Sequence, residues 1–533
     1  MATTETQKEM FLWLEKHFGG KEGVVDYPSG RRWSYRAFND YSRRICASYK
    51  KDGGIQKGDR ISWLAHKSSA DILALSFGAR KMGALPVIMN SRAGVQGIAW
   101  MINNVEARSL AYSSELVDAV KKVYEVGIPC VREFIALGER AGLPGERTID
   151  EIYAQYEGAE EPEVEIAGTD DCLIAYTSGT TANAKPVVHK ENNLAWTLMQ
   201  LVYYFGVYSE DVWVVTAPPA FMGWAYMSFP CLRAAGKVCC VEFDPFTYLK
   251  AISDERGTHA LLQPTVIRML YPEYKKNPEE FKLDSLRIVC AAGEPVTEDV
   301  VAMLKEMFPN AQRLGGLGAT EAVCFHTGHN SLYLSQHWDT LGIPLPGVSA
   351  ELRDAETGKV ITDPDMVGEL YVKGPGVADR IWNNPELTEK SFPGGWWKTG
   401  DLFRTSETGH YYIAGRADYM FKSGGIKVYP EEVEENLKKH PDILDAVVFA
   451  IPHEVFGFVP MACIRNKKPL TPEGMEEWWL SQQFARYNRP RKWEFWGEKE
   501  FPKTASQKVD RRRLRDRAQQ EQPFVDSSSM QSL

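Results

Sequence analysis

Short apolar runs alternate with amphipathic stretches along most of the chain. Runs of mostly apolar residues favour buried strands, because strands covered on both faces carry near-continuous hydrophobic sequence. Such runs occupy residues 172–176, 212–216, 237–241 and 287–291. Residues 298–308 instead place apolar side chains at helical spacing. This alternation predicts an α/β fold built in layers.

The pattern changes after Gly415. Residues 431–440 are rich in charge and place Val433 and Leu437 four positions apart, which favours a helix with one buried face. A strand-like run follows at residues 446–451. We therefore predict a small, separate α+β domain in the last part of the chain.

The chain is long enough to need more than one hydrophobic core. It has 533 residues, and a single core seldom serves a chain of that length. We predict a large N-terminal domain of layered α/β subdomains at residues 1–417 and a small C-terminal domain at 418–518. Residues 519–533 are polar and predict a disordered tail, and the acidic segment 157–165 predicts a solvated connector.

One long uncharged stretch, residues 212–232, has the composition of a membrane span. Pro218, Pro219, Gly223 and Pro230 interrupt it, and proline and glycine at this density break a spanning helix. The stretch instead predicts a buried strand, a pocket-lining loop and a short helix.

Composition and charge narrow the class of protein. Hydrophobic residues make up 44% of the chain, as in globular proteins. There are 62 Lys and Arg against 71 Asp and Glu, a net charge of -9, which argues against nucleic acid as the main partner. Nine cysteines without a C-x-x-C pair suit a reducing compartment. With a polar N-terminus that lacks a signal sequence, these features predict a soluble cytoplasmic protein without a membrane span.

A candidate phosphate-binding loop follows the predicted strand at 172–176. It combines hydroxyl side chains, a glycine and a lysine, which suit phosphate oxygens through hydrogen bonds and charge, in the order Thr177-Ser178-Gly179-Thr180-Thr181-Ala182-Asn183-Ala184-Lys185-Pro186. It is not a Walker A loop, because no glycine precedes Lys185 and a proline stands where Ser or Thr is required. Alone, such a segment is most often an ordinary turn.

Further segments, in a fixed order, change that interpretation. They are G-E-P at 293–295, G-A-T-E at 318–321, W-K-T-G-D at 397–401, G-R-A-D at 415–418, S-G-G at 423–425 and P-K-T-A-S-Q-K at 502–508. Together with the loop, they resemble the adenylate-forming superfamily, which includes acyl-CoA synthetases, firefly luciferases and peptide-synthetase adenylation domains. The resemblance spans about residues 20–515. Each motif is weak alone, but their order is specific.

The resemblance implies a nucleotide site and a mobile lid. The residues it implies for ATP and AMP binding are Thr177, Ser178, Gly179, Thr180, Thr181, Gly293, Glu294, Pro295, Asp401 and Arg416. The residues it implies for catalysis are Lys185, Thr320, Glu321 and Lys508, with Glu321 as the Mg²⁺ ligand. The C-terminal domain is expected to carry Lys508 as a mobile lid, with Asp418 as the hinge.

These roles also make chemical sense for the residues concerned. A carboxylate such as Asp401 accepts hydrogen bonds from both ribose hydroxyls. Attack of a carboxylate on the α-phosphate brings two anions together, and Lys185, Lys508 and Mg²⁺ would offset their repulsion. The alternatives are a surface ion pair for Asp401 and a solvated side chain for Lys508.

Several positions depart from the family pattern. Ala182, Ala184 and Pro186 replace Gly, Pro and Gly in the loop, which reduces its freedom to adopt positive φ. Leu317 stands where the family usually places an aromatic residue that stacks on adenine, and Gln507 replaces the glycine before Lys508. Every charged or metal-binding role stays filled, so we expect catalysis, with altered nucleotide affinity.

The acyl pocket is predicted to suit an acid larger than acetate. Its expected lining is Met222, Gly223, Trp224, Leu317 and Gly318. No acidic residue occurs at 221–224 to pair with an amino group, and Gly318 replaces the tryptophan of acetate-specific relatives. A branched, alicyclic, aromatic or medium-chain acid is expected. Trp224 is equally compatible with an ordinary core position.

Coenzyme A is the expected acceptor, and ATP and Mg²⁺ are the other small-molecule partners. Ser423, Gly424 and Gly425 resemble the loop that lines the pantetheine tunnel, and no carrier domain follows the lid. The main prediction is an AMP-forming acid:CoA ligase, with a homodimer as one compatible assembly. The alternatives are an adenylating enzyme that loads a separate carrier protein, and a nucleotide-binding relative without turnover.

Overall fold

The computed structural model describes residues 6–177, 184–293, 296–322, 327–328, 340–482, 484–504 and 509–519, with backbone alone for 327–328 and 518–519. Two compact units are distinguished, Met1–Ala350 with Val372–Trp397, and Glu351–Tyr371 with Lys398–Leu533. The second unit thus includes segments before residue 417, and the domain boundary expected there remains a prediction. The tail from residue 520 onward lies outside the described residues.

Strands and helices alternate through most of the chain. The strands are β1 (Glu22–Asp26), β2 (Arg31–Ser34), β3 (Arg60–Leu64), β4 (Leu85–Ile88), β5 (Ser109–Ser113), β6 (Glu133–Leu137), β7 (Arg147–Thr148), β8 (Asp171–Tyr176), β9 (Pro186–Lys190), β10 (Val212–Val215), β11 (Lys237–Cys240), β12 (His259–Leu262), β13 (Ile288–Ala291), β14 (Gln312–Leu314), β15 (Thr327–Gly328), β16 (Ile343–Pro344), β17 (Ser349–Arg353), β18 (Val360–Ile361), β19 (Gly368–Lys373), β20 (Arg380–Ile381), β21 (Trp397–Thr405), β22 (Tyr411–Arg416), β23 (Phe421–Ser423), β24 (Ile426–Val428), β25 (Ile443–His453), β26 (Gly457–Asn466) and β27 (Lys492–Phe495).

The α-helices are α1 (Gln7–Phe18), α2 (Tyr35–Lys51), α3 (Ala70–Lys81), α4 (Gly94–Asn104), α5 (Val117–Val126), α6 (Ile149–Gln155), α7 (Glu191–Phe205), α8 (Met222–Arg233), α9 (Pro245–Asp254), α10 (Pro264–Lys276), α11 (Glu298–Met307), α12 (Pro385–Ser391), α13 (Pro430–Leu437), α14 (Pro472–Ser481) and α15 (Arg511–Gln519). Short three-ten turns lie at Ser114–Leu116, Pro278–Glu280, Pro393–Gly395 and Arg486–Asn488. No helix in the described ranges is long and apolar enough to cross a membrane.

Two large sheets build the first unit. One has the order β20-β9-β8-β4-β3-β5-β6-β7, and the other has the order β14-β13-β12-β10-β11-β1-β2. Their central strands pair in parallel, as β3 does with β4 and β5, and β12 with β13. A parallel sheet is covered by helices on both faces, which explains why β10 and β13 are buried at every position.

The predicted elements of this unit are confirmed. The four apolar runs form β8, β10, β11 and β13, and the predicted amphipathic helix is α11. The predicted connector 157–165 contains no helix or strand, although Glu161 binds the Nζ of Lys81, whose side chain is buried. The connector is therefore attached to the core rather than fully solvated, because a buried lysine needs a charged partner.

Helix α8 differs in detail from the interpretation of residues 212–232. A strand, a loop and a helix occur in the predicted order. The helix is 12 residues long and is not interrupted by Pro230, which lies inside it. Proline removes one hydrogen-bond donor and strains the preceding turn. Packing compensates here, because the side chains from Trp224 to Leu232 are all buried.

The second unit contains two sheets of its own. One has the order β18-β17-β19-β21-β22, and in the other β24-β23-β26-β25 is extended by β27 on β26. In the latter, β26 pairs with β25 in a long antiparallel hairpin, and Val433 and Leu437 of α13 are fully buried. The predicted C-terminal helix and strand are thus confirmed, as is the mixed α/β fold.

Candidate functional site

The ends of the predicted phosphate loop are joined at its base. Strands β8 and β9 are antiparallel, with Tyr176 paired to Pro186. The N–H of Thr177 donates to the carbonyl of Lys185 at 3.0 Å, and the N–H of Lys185 donates to the Thr177 hydroxyl at 3.0 Å. Ser178, Gly179, Thr180, Thr181 and Ala182 lie outside the described residues. The loop is therefore the connection of a β-hairpin whose two ends are fixed.

Pro186 fits this position although the family usually has glycine there. It is the first residue of β9, where a missing N–H costs little. Its carbonyl still accepts from the N–H of Trp382 at 2.8 Å. Ala184 is buried and contributes to the apolar cluster beneath the sheet. Both departures are thus compatible with a folded loop base.

The second sheet brings other predicted residues to one edge. Strands β10, β12, β13 and β14 are parallel, so the segments that follow them leave from the same side. Gly293 follows β13 with φ +89°, where a side chain is strained, and a Cβ there would lie 3.4 Å from Gln263, which follows β12. Glu294 and Pro295 lie outside the described residues.

The segment Ala319–Ala322, which follows β14, is fixed through its carbonyl groups. The hydroxyl of Tyr226 lies within hydrogen-bonding distance of the carbonyls of Ala319 and Ala322, at 2.6 Å from the latter. Nε2 of His189 is 2.8 Å from the Thr320 carbonyl, and the N–H of Ala378 donates to the Glu321 carbonyl at 2.7 Å. The side chains of Thr320 and Glu321 remain partly exposed. They supply the hard oxygen donors that Mg²⁺ prefers.

The predicted acyl-pocket residues differ in their surroundings. Trp224 is 0% exposed and packs against Trp63 and Phe229, with ring centroids at 5.8 and 5.5 Å, so it presents no accessible surface. A Cβ on Gly223 would meet no atom within 4 Å among the residues that the structure describes. Gly318 is exposed, Leu317 is partly exposed and Met222 is buried. The described part of the chain therefore leaves space for a side chain at Gly223, while the Trp224 ring belongs to the core.

In the second unit, the predicted ribose ligand has a charged neighbour. Asp401 on β21 is directly opposite Arg416 on β22, and Nη1 of the arginine donates to the Asp401 carboxylate at 2.7 Å. The hinge candidate, Asp418, has a side chain 81% exposed and is 3.7 Å from Arg416. Lys508 lies outside the described residues, as do Ala505, Ser506 and Gln507.

The predicted pantetheine loop is a tight turn in this unit. Gly424 and Gly425 have φ of +56° and +86°, which favours glycine at both positions. Gly424 donates its N–H to the carbonyl of Phe456 at 3.0 Å, and a Cβ there would lie 3.1 Å from the Phe456 ring. Ser423 ends β23 and is buried. The loop is therefore bound closely to Phe456.

Profile and sequence comparisons place the chain in a family. The profile described as AMP-binding enzyme matches residues 13–382, more than half of the chain, and that of the AMP-binding enzyme C-terminal domain matches residues 432–508. The chain belongs to the AMP-binding enzyme family. Its class is that of the AMP-forming acid–CoA ligases, as its curated relatives are CoA ligases.

Two relatives and one solved structure illustrate the match. The 4-coumarate–CoA ligase-like 9 of Oryza sativa subsp. japonica is 30% identical over 506 residues, covering 91% of this chain and 88% of that protein. The benzoate–CoA ligase of Thauera aromatica is 30% identical over 509 residues, covering 93% of each. ATP-bound MatB from Rhodopseudomonas palustris has a TM-score of 0.82 at 24% identity over 96% of this chain and 99% of that one, which supports the fold.

Two groups of residues that contact or extend the candidate site in this ligase belong to none of the sequence motifs. His189 and Tyr226 contact the Thr320 region from 131 and up to 96 positions away, and no local pattern signals such contacts. The second group surrounds a cleft of about 160 Å³ in the C-terminal unit, lined by Leu480, Arg486, Arg489 and Arg491. Three arginines within six residues were a signal that the sequence offered.

Proposed function

We propose that this ligase activates a carboxylic acid larger than acetate, either branched, alicyclic, aromatic or medium-chain, and transfers the acyl group to CoA. The acid would attack the α-phosphate of ATP, releasing pyrophosphate and forming acyl-AMP. The CoA thiolate would then attack the acyl carbon, and AMP would leave. One contact carries the proposal for the first step, the 2.8 Å approach of His189 to the Thr320 carbonyl.

That contact supports a shared phosphate site in the first unit. His189 lies on β9, four residues beyond Lys185 at the base of the predicted loop. Thr320 and Glu321 belong to the segment that follows the other sheet. Because this contact brings β9 and residues 320–321 together, Lys185 and Thr320 are proposed to bind the polyphosphate, and Glu321 to hold Mg²⁺. The metal would neutralise the charge of the phosphates.

The remaining roles follow from the motifs. Lys508 is proposed to stabilise the charge that develops between the carboxylate and the α-phosphate. Asp401 is proposed to hold the ribose hydroxyls, with Arg416 orienting the carboxylate through its contact at 2.7 Å. Asp418 is proposed as the hinge.

The arginine-lined cleft supports CoA as the acceptor. CoA carries a diphosphate and a 3′-phosphate, and arginine guanidinium groups bind phosphates in a bidentate manner. Arg491 also lies over the Phe456 ring at 5.8 Å, and Phe456 contacts the Gly424 loop. One side chain thus connects the cleft to the proposed pantetheine loop. Within the cleft, Arg489 is paired with Glu476.

An acid panel tests the first half of the proposal. Acids from acetate to decanoate, with benzoate and cinnamate-type acids, are assayed for AMP and acyl-CoA formation. We expect kcat/KM to be low for acetate and at least tenfold higher for one larger class, since one or two methylenes of fit are worth about 10–200-fold. Highest activity with acetate contradicts the pocket assignment. Absence of acid-dependent exchange of pyrophosphate into ATP points to the nucleotide-binding alternative.

A second experiment separates free CoA from a carrier protein. Arg486→Ala should raise KM for CoA while leaving KM for ATP and acid unchanged, because Arg486 lines the cleft with an exposed side chain. Arg512→Ala, which removes an arginine 61% exposed on α15, is the matched control. Equal KM changes in both variants, or transfer to a phosphopantetheinyl carrier in preference to CoA, contradict the proposal.

A further inference from the structure

Four consecutive carbonyl groups, those of Ala319 to Ala322, all lie against hydrogen-bond donors. The donors are the Tyr226 hydroxyl, Nε2 of His189 and the N–H of Ala378, which come from α8, from β9 and from the segment before β20. Ala322 also forms an isolated antiparallel bridge with Val377. Three separate parts of the first unit therefore determine where this short backbone segment lies.

Among the described residues, the side chain of His189 makes one hydrogen-bonding contact, with the Thr320 carbonyl. A carbonyl oxygen only accepts, so the proton of the neutral ring must be on Nε2. The side chain is 0% exposed, and burial lowers the pKa of His189 to about 4, so the ring is neutral near pH 7. Nδ1 is buried without a hydrogen-bond partner among the described residues. Burying an unpaired Nδ1 destabilises the fold, and leucine would avoid this cost. What histidine provides here and leucine cannot is the contact with the Thr320 carbonyl.

Tyr226 acts on both ends of the segment. Its hydroxyl has one proton, which it donates to one of the two carbonyls at a time, and the side chain is 7% exposed. Tyr226 lies four residues after Met222 on α8, so both are on the same face of the helix. The tyrosine thus connects the helix of the predicted acyl pocket to the segment that carries Thr320 and Glu321.

We propose that His189 and Tyr226 are positioning residues for acid activation, which hold the backbone of residues 319–322 so that Thr320 and Glu321 meet Mg²⁺-bound ATP in one orientation. The inference rests on the roles proposed above for Thr320 and Glu321. Neither His189 nor Tyr226 touches the reacting atoms in this scheme. Loss of either donor frees a carbonyl and lets the segment shift, and a displacement of about 1 Å near a reacting group costs about 10²-fold in rate.

Binding of ATP provides a measurement that does not depend on turnover. The Kd for ATP is determined by calorimetry with Mg²⁺ and again with EDTA. The Kd in EDTA divided by the Kd with Mg²⁺ reports how much the metal contributes to ATP binding. His189→Leu should reduce that ratio by about 10–100-fold, the usual effect of losing a group that orients a metal ligand. His189→Gln keeps an N–H donor within reach of the Thr320 carbonyl and should restore most of the ratio.

His259 offers a matched control for this variant. It is also 0% exposed, and its Nε2 lies 3.0 Å from the Phe205 carbonyl, away from residues 319–322. His259→Leu should lower Tm at least as much as His189→Leu does, because it removes the contact of Nε2 with a buried carbonyl and also the contact of Nδ1 with the Thr258 hydroxyl at 2.9 Å. It should leave the Mg²⁺ ratio for ATP unchanged.

Tyrosine variants provide an independent test. Tyr226→Phe removes only the hydroxyl, and Tyr248→Phe does the same at a tyrosine 0% exposed whose hydroxyl is 3.3 Å from the Val214 carbonyl. We expect Tyr226→Phe to lower the rate of acyl-AMP formation by about 10-fold or more while conversion of supplied acyl-AMP to acyl-CoA stays unchanged. Tyr248→Phe should change neither half-reaction.

The outcomes separate this inference from the proposed function. Equal Mg²⁺ ratios in the wild type, His189→Leu and His259→Leu overturn the positioning role, as does failure of His189→Gln to restore the ratio. If the wild-type protein binds ATP with Mg²⁺ but lacks acid-dependent pyrophosphate exchange, the proposed function fails. The binding ratios still test the positioning role in that case.

Discussion

The Thr320 segment of the first unit and the Asp418 segment of the second are held in very different ways. The carbonyls of Ala319 to Ala322 are bound by side chains and backbone from distant parts of the sequence. Asp418 is 81% exposed, and its charge is 3.7 Å from that of Arg416, two positions earlier. Long-range contacts thus fix the Thr320 segment, whereas the side chain of Asp418 is largely exposed and lies near a charge only two positions away.

This difference agrees with the chemistry proposed for each segment. A group that orients Mg²⁺ and phosphate works best when it is positioned before the substrate binds. A hinge must absorb large changes of φ and ψ, which requires few tertiary contacts. Substitutions in and beside the two segments can therefore test whether one must stay fixed and the other must move.

Lys508→Ala is expected to have the largest effect. Its charge would serve acid activation alone, so acyl-AMP formation should fall by about 10²–10³-fold while thioester formation from supplied acyl-AMP is spared. The two half-reactions are measured separately by pyrophosphate exchange and by release of AMP. Lys499→Ala changes an exposed lysine nine positions earlier in the sequence and is the control. Equal losses in both half-reactions would falsify this role and indicate structural support.

Asp418→Pro is expected to reverse that pattern. Proline fixes φ near about −65°, which should hold the hinge in one conformation. Because the two half-reactions need different groups, we expect acyl-AMP formation to persist and thioester formation to be lost. Asp418→Ala, which keeps the backbone free, should retain both. Acyl-CoA formation by Asp418→Pro at the wild-type rate rules out the hinge at this position.

Gly318→Trp tests the pocket beside the fixed segment. If the glycine provides space for the acyl chain, tryptophan should lower kcat/KM for large acids by about 10–200-fold and leave acetate and propionate little changed. The comparison requires kcat/KM over the acid panel and the Kd for ATP in both proteins. A uniform loss for every acid shows that Gly318 serves the turn instead.

Glu434→Gln should have a smaller effect, on stability rather than catalysis. Burial raises the pKa of Glu434 to about 7, although Arg511 and the N–H of Val448 counteract this. Since the folded state binds this proton more tightly, the group stabilises the protein fully below about pH 4.5. That contribution is lost as pH rises through about 7 and amounts to about 1–3 kcal/mol.

The measurement is the free energy of unfolding between pH 4.5 and pH 8 by denaturant titration. Glutamine does not titrate, so the variant should lack this part of the pH dependence. Glu435→Gln changes the exposed neighbour on α13 and should behave as the wild type does. An identical slope in the wild type and Glu434→Gln would mean that Arg511 keeps Glu434 charged throughout.

Several elements could be predicted because their cause is local. The apolar run at 172–176 has no favourable state except burial, so it forms β8, and the alternation that follows predicts the α/β layers. Val433 and Leu437 lie on one face of α13 for the same reason. The order of the motifs likewise predicted the family. These conclusions need only neighbours in the sequence.

The surroundings of individual side chains depended on the tertiary structure. Trp224 is compatible with a pocket or with the core, and only packing against Trp63, far away in the sequence, places its ring in the core. His189 and Tyr226 belong to no sequence motif. Each lies near a backbone carbonyl 131 or 96 positions away, and every residue type has such a carbonyl, so the sequence does not mark the partner. By itself, the sequence predicted several of the strands and helices, the family and the candidate site residues. The donors that fix Thr320 and Glu321 were decided only when two sheets packed together, because backbone carbonyls are the same at every position until the fold chooses their partners.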